Sequence, residues 1–138
     1  MKINILLLGF LLSGFTYAQD WVGTWKTNEL ITYKTIEEYV LTPANLAADA
    51  TKIERFGNFI VFNADQTFES YYTAPCGNDC FTTTAGIYTI KDENQIALTL
   101  YRLNQEGMCM QSRTETVDLG IYDILKEKDS MRLVKRKK

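Results

Sequence analysis

Hydrophobic and polar residues alternate along most of the chain after its first 20 residues. A period of two is typical of β-strands that bury one face. The predicted strands lie at 23–33, 58–63, 67–73, 82–90, 95–103, 113–125 and 131–135. Short polar turns at 63–66, 91–94 and 126–129 join six of these strands into three tight hairpins. The pattern predicts an all-β fold, an antiparallel up-and-down meander that closes into a barrel.

One segment between the first two predicted strands has a helical period instead. Residues 42–56 read TPANLAADATKIERF, in which Thr42 is a good N-cap and Pro43 a good first helical residue. The apolar residues that share one helical face are Leu46, Ala50 and Ile53. The segment predicts a short helix at 43–54, either a lid over the open end of the barrel or a helix packed on its outside.

The first 18 residues have the pattern of a signal peptide. Lys2 precedes an apolar run at 3–15, and Thr16 and Ala18 are small residues at the positions that signal peptidase requires. The apolar run is short for a membrane span. We therefore expect residues 1–18 to be cleaved and residues 19–138 to form one domain. The protein is expected to be periplasmic or extracellular.

Composition narrows the function classes. The chain is 46% hydrophobic and 12% aromatic, which is typical of a sequence that folds. Its formal net charge of −2 gives no reason to expect nucleic acid as a partner. The sequence has no histidine, and it has no serine-nucleophile motif, phosphate-binding glycine loop or metal-ligand cluster. We expect a protein that is not an enzyme, does not span a membrane, and uses no cofactor or metal.

Three cysteines lie in predicted connections at one end of the meander: Cys76, Cys80 and Cys109. In an exported chain, neighbouring cysteines most often form a disulfide. Cys76 and Cys80 face each other across a short turn, so their geometry favours a bridge. A bridge from either of them to Cys109 closes a loop of about 30 residues and is favoured by chain entropy. We predict the Cys76–Cys80 disulfide, with Cys109 as the alternative partner.

Hairpin pairing predicts which side chains face the barrel interior, because directly opposed residues share a face. The predicted pairs are Ile90 with Ile96, Tyr88 with Leu98 and Phe68, Gly86 with Leu100 and Ser70, Thr84 with Arg102 and Tyr72, Val117 with Leu98, Glu115 with Leu100, and Arg113 with Arg102. The resulting inner face is apolar at the hairpin end, small at Ser70 and Gly86, and polar at the rim. It predicts a cup with internal space; the alternative is a barrel filled by aromatic side chains of other strands.

The polar rim of this cup is the predicted ligand site. Arg102 and Arg113 are expected to face each other, and Glu115 can compensate only one of the two charges. The remaining positive charge predicts an anchor for a carboxylate or phosphate, unless both arginines simply reach solvent. The predicted ligand-binding residues are Ser70, Tyr72, Thr84, Gly86, Tyr88, Leu98, Leu100, Arg102, Arg113 and Glu115.

Two short motifs resemble small bacterial secreted lipocalin-like (calycin) proteins. Residues 21–25, WVGTW, contain the G-x-W that opens the first strand in that family. Residues 62–68, FNADQTF, are similar to its F-x-x-D-G-T-F hairpin, although Gln66 replaces the turn glycine. The resemblance implies structural roles for Gly23 and Trp25.

In that family the tryptophan packs across the closed floor of the barrel, often beneath a basic side chain from the last strand, for which Arg132 is the nearest candidate. The resemblance implies binding of a small apolar or amphipathic ligand in the cup. The alternative function is a protein-binding envelope module or inhibitor that uses the open-end loops of a filled barrel. Exposed Tyr33, Tyr39 and Phe81 would favour that alternative.

Overall fold

The structure is a computed structural model that describes residues 21–44 and 52–137 of the 138-residue chain. The elements within these residues are β1 (Gly23–Thr27), β2 (Glu38–Pro43), a 3₁₀ helix (Lys52–Arg55), β3 (Gly57–Phe62), β4 (Thr67–Thr73), β5 (Cys80–Asp92), β6 (Gln95–Gly107), β7 (Gln111–Lys126) and β8 (Met131–Lys135). The predicted signal peptide lies outside the described residues.

The eight strands form one closed antiparallel barrel. Strands β3 to β8 follow one another as a meander in which each strand pairs with the next. The β1–β2 hairpin closes the gap, because β1 pairs with β3 and β2 pairs with β8. The predicted all-β antiparallel barrel is therefore confirmed.

Strand β2 was not predicted from the sequence pattern. It is only six residues long, and it ends in Thr42 and Pro43, the two residues taken as the start of a helix. That helix start is wrong, because both residues belong to a strand that pairs with β1. Residues 45–51 of the predicted helix lie outside the described residues, and its C-terminal part is the 3₁₀ helix Lys52–Arg55. The lid formed by residues 43–54 stays a prediction.

The two ends of the barrel differ, as the meander predicted. The tight hairpin turns after β3, β5 and β7 lie at one end, which we call the closed end. The connections at 28–37, 74–79 and 108–110 lie at the other end, which we call the open end. β2 ends at the closed end and β3 begins at the open end, so the connection between these two strands runs from one end to the other.

The strand register agrees with the prediction only near the β5–β6 turn. There, Leu98 lies opposite Tyr88 and Leu100 opposite Gly86. Farther from the turn, an irregularity at 85–86 places Arg102 opposite Ala85 and not opposite Thr84.

The β4–β5 register is shifted by two residues from the prediction, so that Phe68 faces Gly86 and Ser70 faces Thr84. A shift of two residues keeps the inward face unchanged. The six-residue 74–79 connection allows such a shift, because only tight turns determine register.

The β6–β7 register was also predicted wrongly. Leu100 lies opposite Val117, Arg102 opposite Thr114, and Arg113 opposite Leu103. The observed register is offset by one residue already next to the 108–110 connection, and each of two bulges farther from that connection adds one more residue on β7. Arg102 and Arg113 are therefore not opposed, and both are exposed.

The barrel interior is filled. Its core consists of Trp21, Ile31, Tyr39, Leu41, Ile60, Phe62, Phe68, Tyr88, Ile96, Leu98, Leu100, Leu119, Tyr122, Ile124, Met131 and Leu133. Even the space at Gly86 is occupied, because a Cβ built there would lie 2.4 Å from the Phe68 ring. Of the tyrosines and phenylalanine expected to be exposed in a filled barrel, Tyr39 is fully buried, and Tyr33 and Phe81 are partly buried.

Trp21 forms the centre of the closed floor. Its ring centroid lies 4.6 Å from that of Tyr88 and 5.1 Å from that of Phe62. Trp25 packs at the edge of the core and donates its indole N–H to the Trp21 carbonyl oxygen at 2.7 Å. Gly23 between them has a φ of 138°, a conformation that favours glycine.

Arg132 faces outward from β8 and not across the floor. It donates to the Glu38 carboxylate on the neighbouring strand β2 and forms a longer ion pair with Glu127. The central floor position that the family resemblance implies for Trp25 is therefore occupied by Trp21, four residues earlier.

One disulfide joins Cys80 to Cys109, with their Cα atoms 5.0 Å apart. Cys80 begins β5 and lies opposite Gly107, so strand pairing brings it to the β6–β7 connection. Cys76 is a free, exposed thiol. The predicted Cys76–Cys80 bridge is wrong, and the alternative partner Cys109 is confirmed, because strand pairing over a long sequence separation decided which cysteines meet.

Candidate functional site at the open end

The β1–β2 connection, residues 28–37, enters the open end of the barrel, and we call it the plug. Its residue Ile31 is 0% exposed and belongs to the hydrophobic core. The Thr84 hydroxyl donates to the Ile31 carbonyl oxygen at 2.6 Å, and the Ile31 amide donates to the Ser70 hydroxyl at 3.1 Å. Ser70, which was predicted to leave internal space, and Thr84, which was predicted to lie at the polar rim, thus both bind the backbone of the plug.

Asn28 turns the chain from β1 into the plug. Its side-chain oxygen accepts from the Val40 amide at 2.8 Å, and its side-chain nitrogen donates to the Glu38 carbonyl oxygen at 3.2 Å. The Asn58 side chain donates to the Asn28 carbonyl oxygen at 3.1 Å. These bonds replace ladder hydrogen bonds beyond Thr27, which explains why β1 ends there and does not continue to residue 33 as predicted.

Tyr33 attaches the plug to the rim on the β7 side. Its hydroxyl donates to the Glu115 carbonyl oxygen at 2.8 Å and accepts from the Glu115 amide at 3.2 Å. The Arg113 guanidinium lies 4.0 Å from the Tyr33 ring centroid, a cation–π contact, and pairs with the Glu115 carboxylate. The predicted anchor residues Arg113 and Glu115 therefore hold the plug.

A cleft of about 360 Å³ lies between the plug and the rim of the barrel. Its walls are Glu29, Leu30, Thr32, Lys34 and Ile36 of the plug and Asn58, Thr82, Leu103 and Gln105 of the strands. This volume is at the lower end of the range for small-molecule sites. The mixed lining, with three aliphatic side chains and one charge of each sign, suits a small amphipathic molecule.

The remaining predicted site residues occupy different places. Tyr88, Leu98 and Leu100 are buried below the plug, and Gly86 is covered by Phe68. Tyr72 lies at the rim and donates its hydroxyl to Asp79 at 2.8 Å. Arg102 projects outward on β6.

Ile31 and Leu103 were not predicted as site residues, and Tyr33 was expected only as an exposed residue of a filled barrel. The available signal was the polar pair at 28–29, which interrupts the alternation of the first predicted strand.

Tyr39 on β2 and Tyr122 on β7 form a buried pair. Both side chains are 0% exposed, and their ring centroids are 5.6 Å apart. The two phenols are near enough to affect each other's pKa, but no hydrogen bond of ordinary geometry satisfies either hydroxyl within the described residues. Burial is the largest cause that raises both pKa values, that of Tyr122 to about 12, so both phenols are neutral at physiological pH.

The buried polar side chains of the described residues, apart from tyrosines, are the hydroxyls of Thr27, Ser70, Thr82 and Thr84. No charged side chain in this part of the chain is buried. Across residues 21–44 and 52–137, no group of three or more His, Cys, Asp or Glu residues is placed to hold a metal ion. Within the same ranges, no helix has the length and apolar character needed to cross a membrane.

The architecture defines the class of protein: an eight-stranded, closed antiparallel barrel, which is compatible with a lipocalin-like fold. Comparison with protein-family models, curated proteins and solved structures finds no match for this chain.

Proposed function

We propose that this protein is an exported lipocalin-like binding protein that takes a small apolar or amphipathic ligand into the open end of its barrel. The plug occupies part of the ligand's place when no ligand is bound. The closed barrel and the G-x-W motif at Gly23 support the class. The single observation that carries the function is that a loop residue, Ile31, fills the middle of the barrel.

Ile31, the deepest residue of the plug, is held by few interactions. It is bound through two hydroxyls, from Ser70 and Thr84, and not through strand ladders. Burial of one Ile side chain contributes about 1.5–3 kcal/mol, and each neutral hydrogen bond about 1 kcal/mol. A ligand bound with micromolar affinity supplies about 8 kcal/mol. Ligand binding can therefore offset displacement of Ile31 without unpairing any strand.

The Cys80–Cys109 disulfide is consistent with an oxidising, exported environment. The same proposal includes the cleavage of residues 1–18 as a signal peptide during export.

The experiment compares Ile31→Ala with the unmodified protein in titrations with N-phenyl-1-naphthylamine, a neutral probe that fluoresces in apolar sites. Removing the Ile31 side chain weakens the ligand-free state in which the plug occupies the interior. The probe should therefore bind about tenfold tighter. Ile87→Ala is the matched control, since Ile87 is 47% exposed on the outer face of β5. Equal binding by all three proteins, or no binding by any, would contradict the proposal.

A second candidate function, a protein-binding envelope module, is favoured by one observation. Met108 and Met110 are 75% and 90% exposed on either side of the disulfide-bonded Cys109. Flexible thioether side chains on a stapled loop suit a protein contact. If this function holds, Met108→Ser/Met110→Ser will abolish co-purification of one defined envelope protein and leave probe binding unchanged. Retained co-purification in that variant would count against it.

A further inference from the structure

The two unpaired tyrosine hydroxyls in the core are unusual, because buried polar groups are normally hydrogen-bonded. Tyr39 and Tyr122 are both fully buried and lie side by side on β2 and β7. Two phenylalanines would fill this space without leaving an unsatisfied hydroxyl. The two hydroxyls are close enough to influence each other, but neither has a hydrogen bond of ordinary geometry within the described residues, so at least one phenolic proton of the pair has no acceptor there.

Tyr39 of this pair lies close to the plug along the chain. Tyr39 is the second residue of β2, which directly follows the plug. The carboxylates of Glu29 and Glu37, both in the plug, are close enough to raise the pKa of Tyr39 and of Tyr122, respectively. Ile31, Tyr39 and Tyr122 belong to the same buried core, so a molecule that displaced Ile31 would enter the interior that these side chains share.

The charge of the interior restricts what such a molecule can carry. No charged side chain of the described residues is buried, and the buried polar groups are hydroxyls. A carboxylate or phosphate placed there would have no cation to compensate its loss of hydration. Arg102 and Arg113 do not change this, because both project from the rim and Arg113 already contacts Tyr33 and Glu115.

We infer that the ligand carries a neutral oxygen-containing group, an alcohol or a ketone, whose oxygen accepts hydrogen bonds from the Tyr39 and Tyr122 hydroxyls. This inference rests on the proposed function and names the chemical class of its ligand. One oxygen with two lone pairs matches two neighbouring phenolic donors. The apolar remainder of the ligand occupies the place that Ile31 leaves, against Leu98 and Leu100.

The test uses Ile31→Ala as the parent, so that the plug does not limit entry, and measures displacement of N-phenyl-1-naphthylamine. Competitors of similar length are 1-octanol, 2-octanone, octanoate and 1-chlorooctane, which lacks an oxygen. The alcohol and ketone should bind about 5–10-fold tighter than the chloroalkane, as expected for one or two neutral hydrogen bonds. Octanoate should bind more weakly than the alcohol by at least about tenfold.

Tyr39→Phe/Tyr122→Phe in this parent should abolish the preference for the oxygen-containing competitors and leave 1-chlorooctane unchanged. Tyr71→Phe is the matched control, because Tyr71 is a partly buried tyrosine that stacks on Phe59 outside the core cluster. The melting temperature of the Phe variants should stay equal or rise, since each loses an unsatisfied buried hydroxyl.

Three outcomes would overturn the inference, and they differ in what else they affect. Unchanged selectivity in the Phe variants overturns the inference and leaves the proposed function standing. Unchanged selectivity together with a lower melting temperature also overturns the inference. It would mean that the two hydroxyls bind a buried water molecule that stabilises the fold. Failure of every competitor and of the probe to bind overturns both the inference and the proposed function.

Discussion

Thr84 and Ile31 are 53 residues apart in the sequence, and the hydroxyl of Thr84 donates to the Ile31 carbonyl oxygen at 2.6 Å inside the barrel. Both residues are 0% exposed. This bond joins a strand of the barrel wall to the loop that fills its middle. Ser70, which was predicted to leave internal space, accepts from the Ile31 amide and so helps to attach the same loop.

Thr84→Val removes this hydrogen bond and leaves the Ile31 carbonyl oxygen buried without its strongest partner. We expect the free energy of unfolding to fall by about 1–3 kcal/mol, measured by urea denaturation. Thr83→Val on the same strand is the control, because Thr83 is only partly buried, and it should change stability by less than about 0.5 kcal/mol. Equal stability of the two variants would show that the plug bond contributes nothing.

The Cys80–Cys109 disulfide should be the cross-link that stabilises the fold. A bridge across a sequence separation of 29 residues contributes about 3–4 kcal/mol. Cys76→Ser should retain full stability, whereas Cys76→Ser/Cys109→Ser should lose about that amount. Thiol titration of the native protein should detect one accessible thiol. Peptide mapping that found Cys76 cross-linked would contradict the assignment.

Gly86→Ala should destabilise the barrel strongly. The added Cβ would lie 2.3 Å from the Thr99 carbonyl oxygen and 2.4 Å from the Phe68 ring, so backbone or ring must move. Overpacking of this kind costs about 1–3 kcal/mol or more. Gly77→Ala is the matched control, because no atom lies within 4 Å of a Cβ at that position. A thermal midpoint equal in both variants would rule out the close contact.

The ion pair between Glu38 and Arg132 should make the stability of the β2–β8 pairing fall in acid. The hydrogen bond from Arg132 holds the pKa of the Glu38 carboxyl below its usual value. A lowered folded-state pKa means that the stabilisation is complete above the unfolded-state pKa and is lost as the pH falls through the folded-state pKa.

Glu38→Gln should therefore lower stability at neutral pH and weaken the loss of stability in acid, as measured by unfolding midpoints from pH 7 down to pH 3. Glu69→Gln on the exposed face of β4 is the control. An acid profile identical to that of the unmodified protein would mean that the Glu38–Arg132 pair does not stabilise the barrel.

The amino-acid sequence by itself determined the strands β3 to β8, their antiparallel order and the end at which each connection between these six strands lies. These features follow from local period-two alternation and from tight turns, which set the pairing of residues close in sequence. The register near the β5–β6 turn, with Tyr88 opposite Leu98, was predicted correctly for this reason. Beyond the bulges of β6 and β7 the alternation reverses, and no local signal marks where.

Only the tertiary structure decided the contents of the barrel and the partners of its distant residues. Strand β2, the plug at 28–37 and the Cys80–Cys109 disulfide all depend on contacts between segments far apart in the sequence. The Ser70 and Thr84 hydroxyls satisfy the backbone of Ile31 inside the barrel, and the sequence around Ile31 does not indicate these two distant partners. Arg102 and Arg113 were expected to face each other, and a register offset of one residue next to the 108–110 connection was enough to separate them.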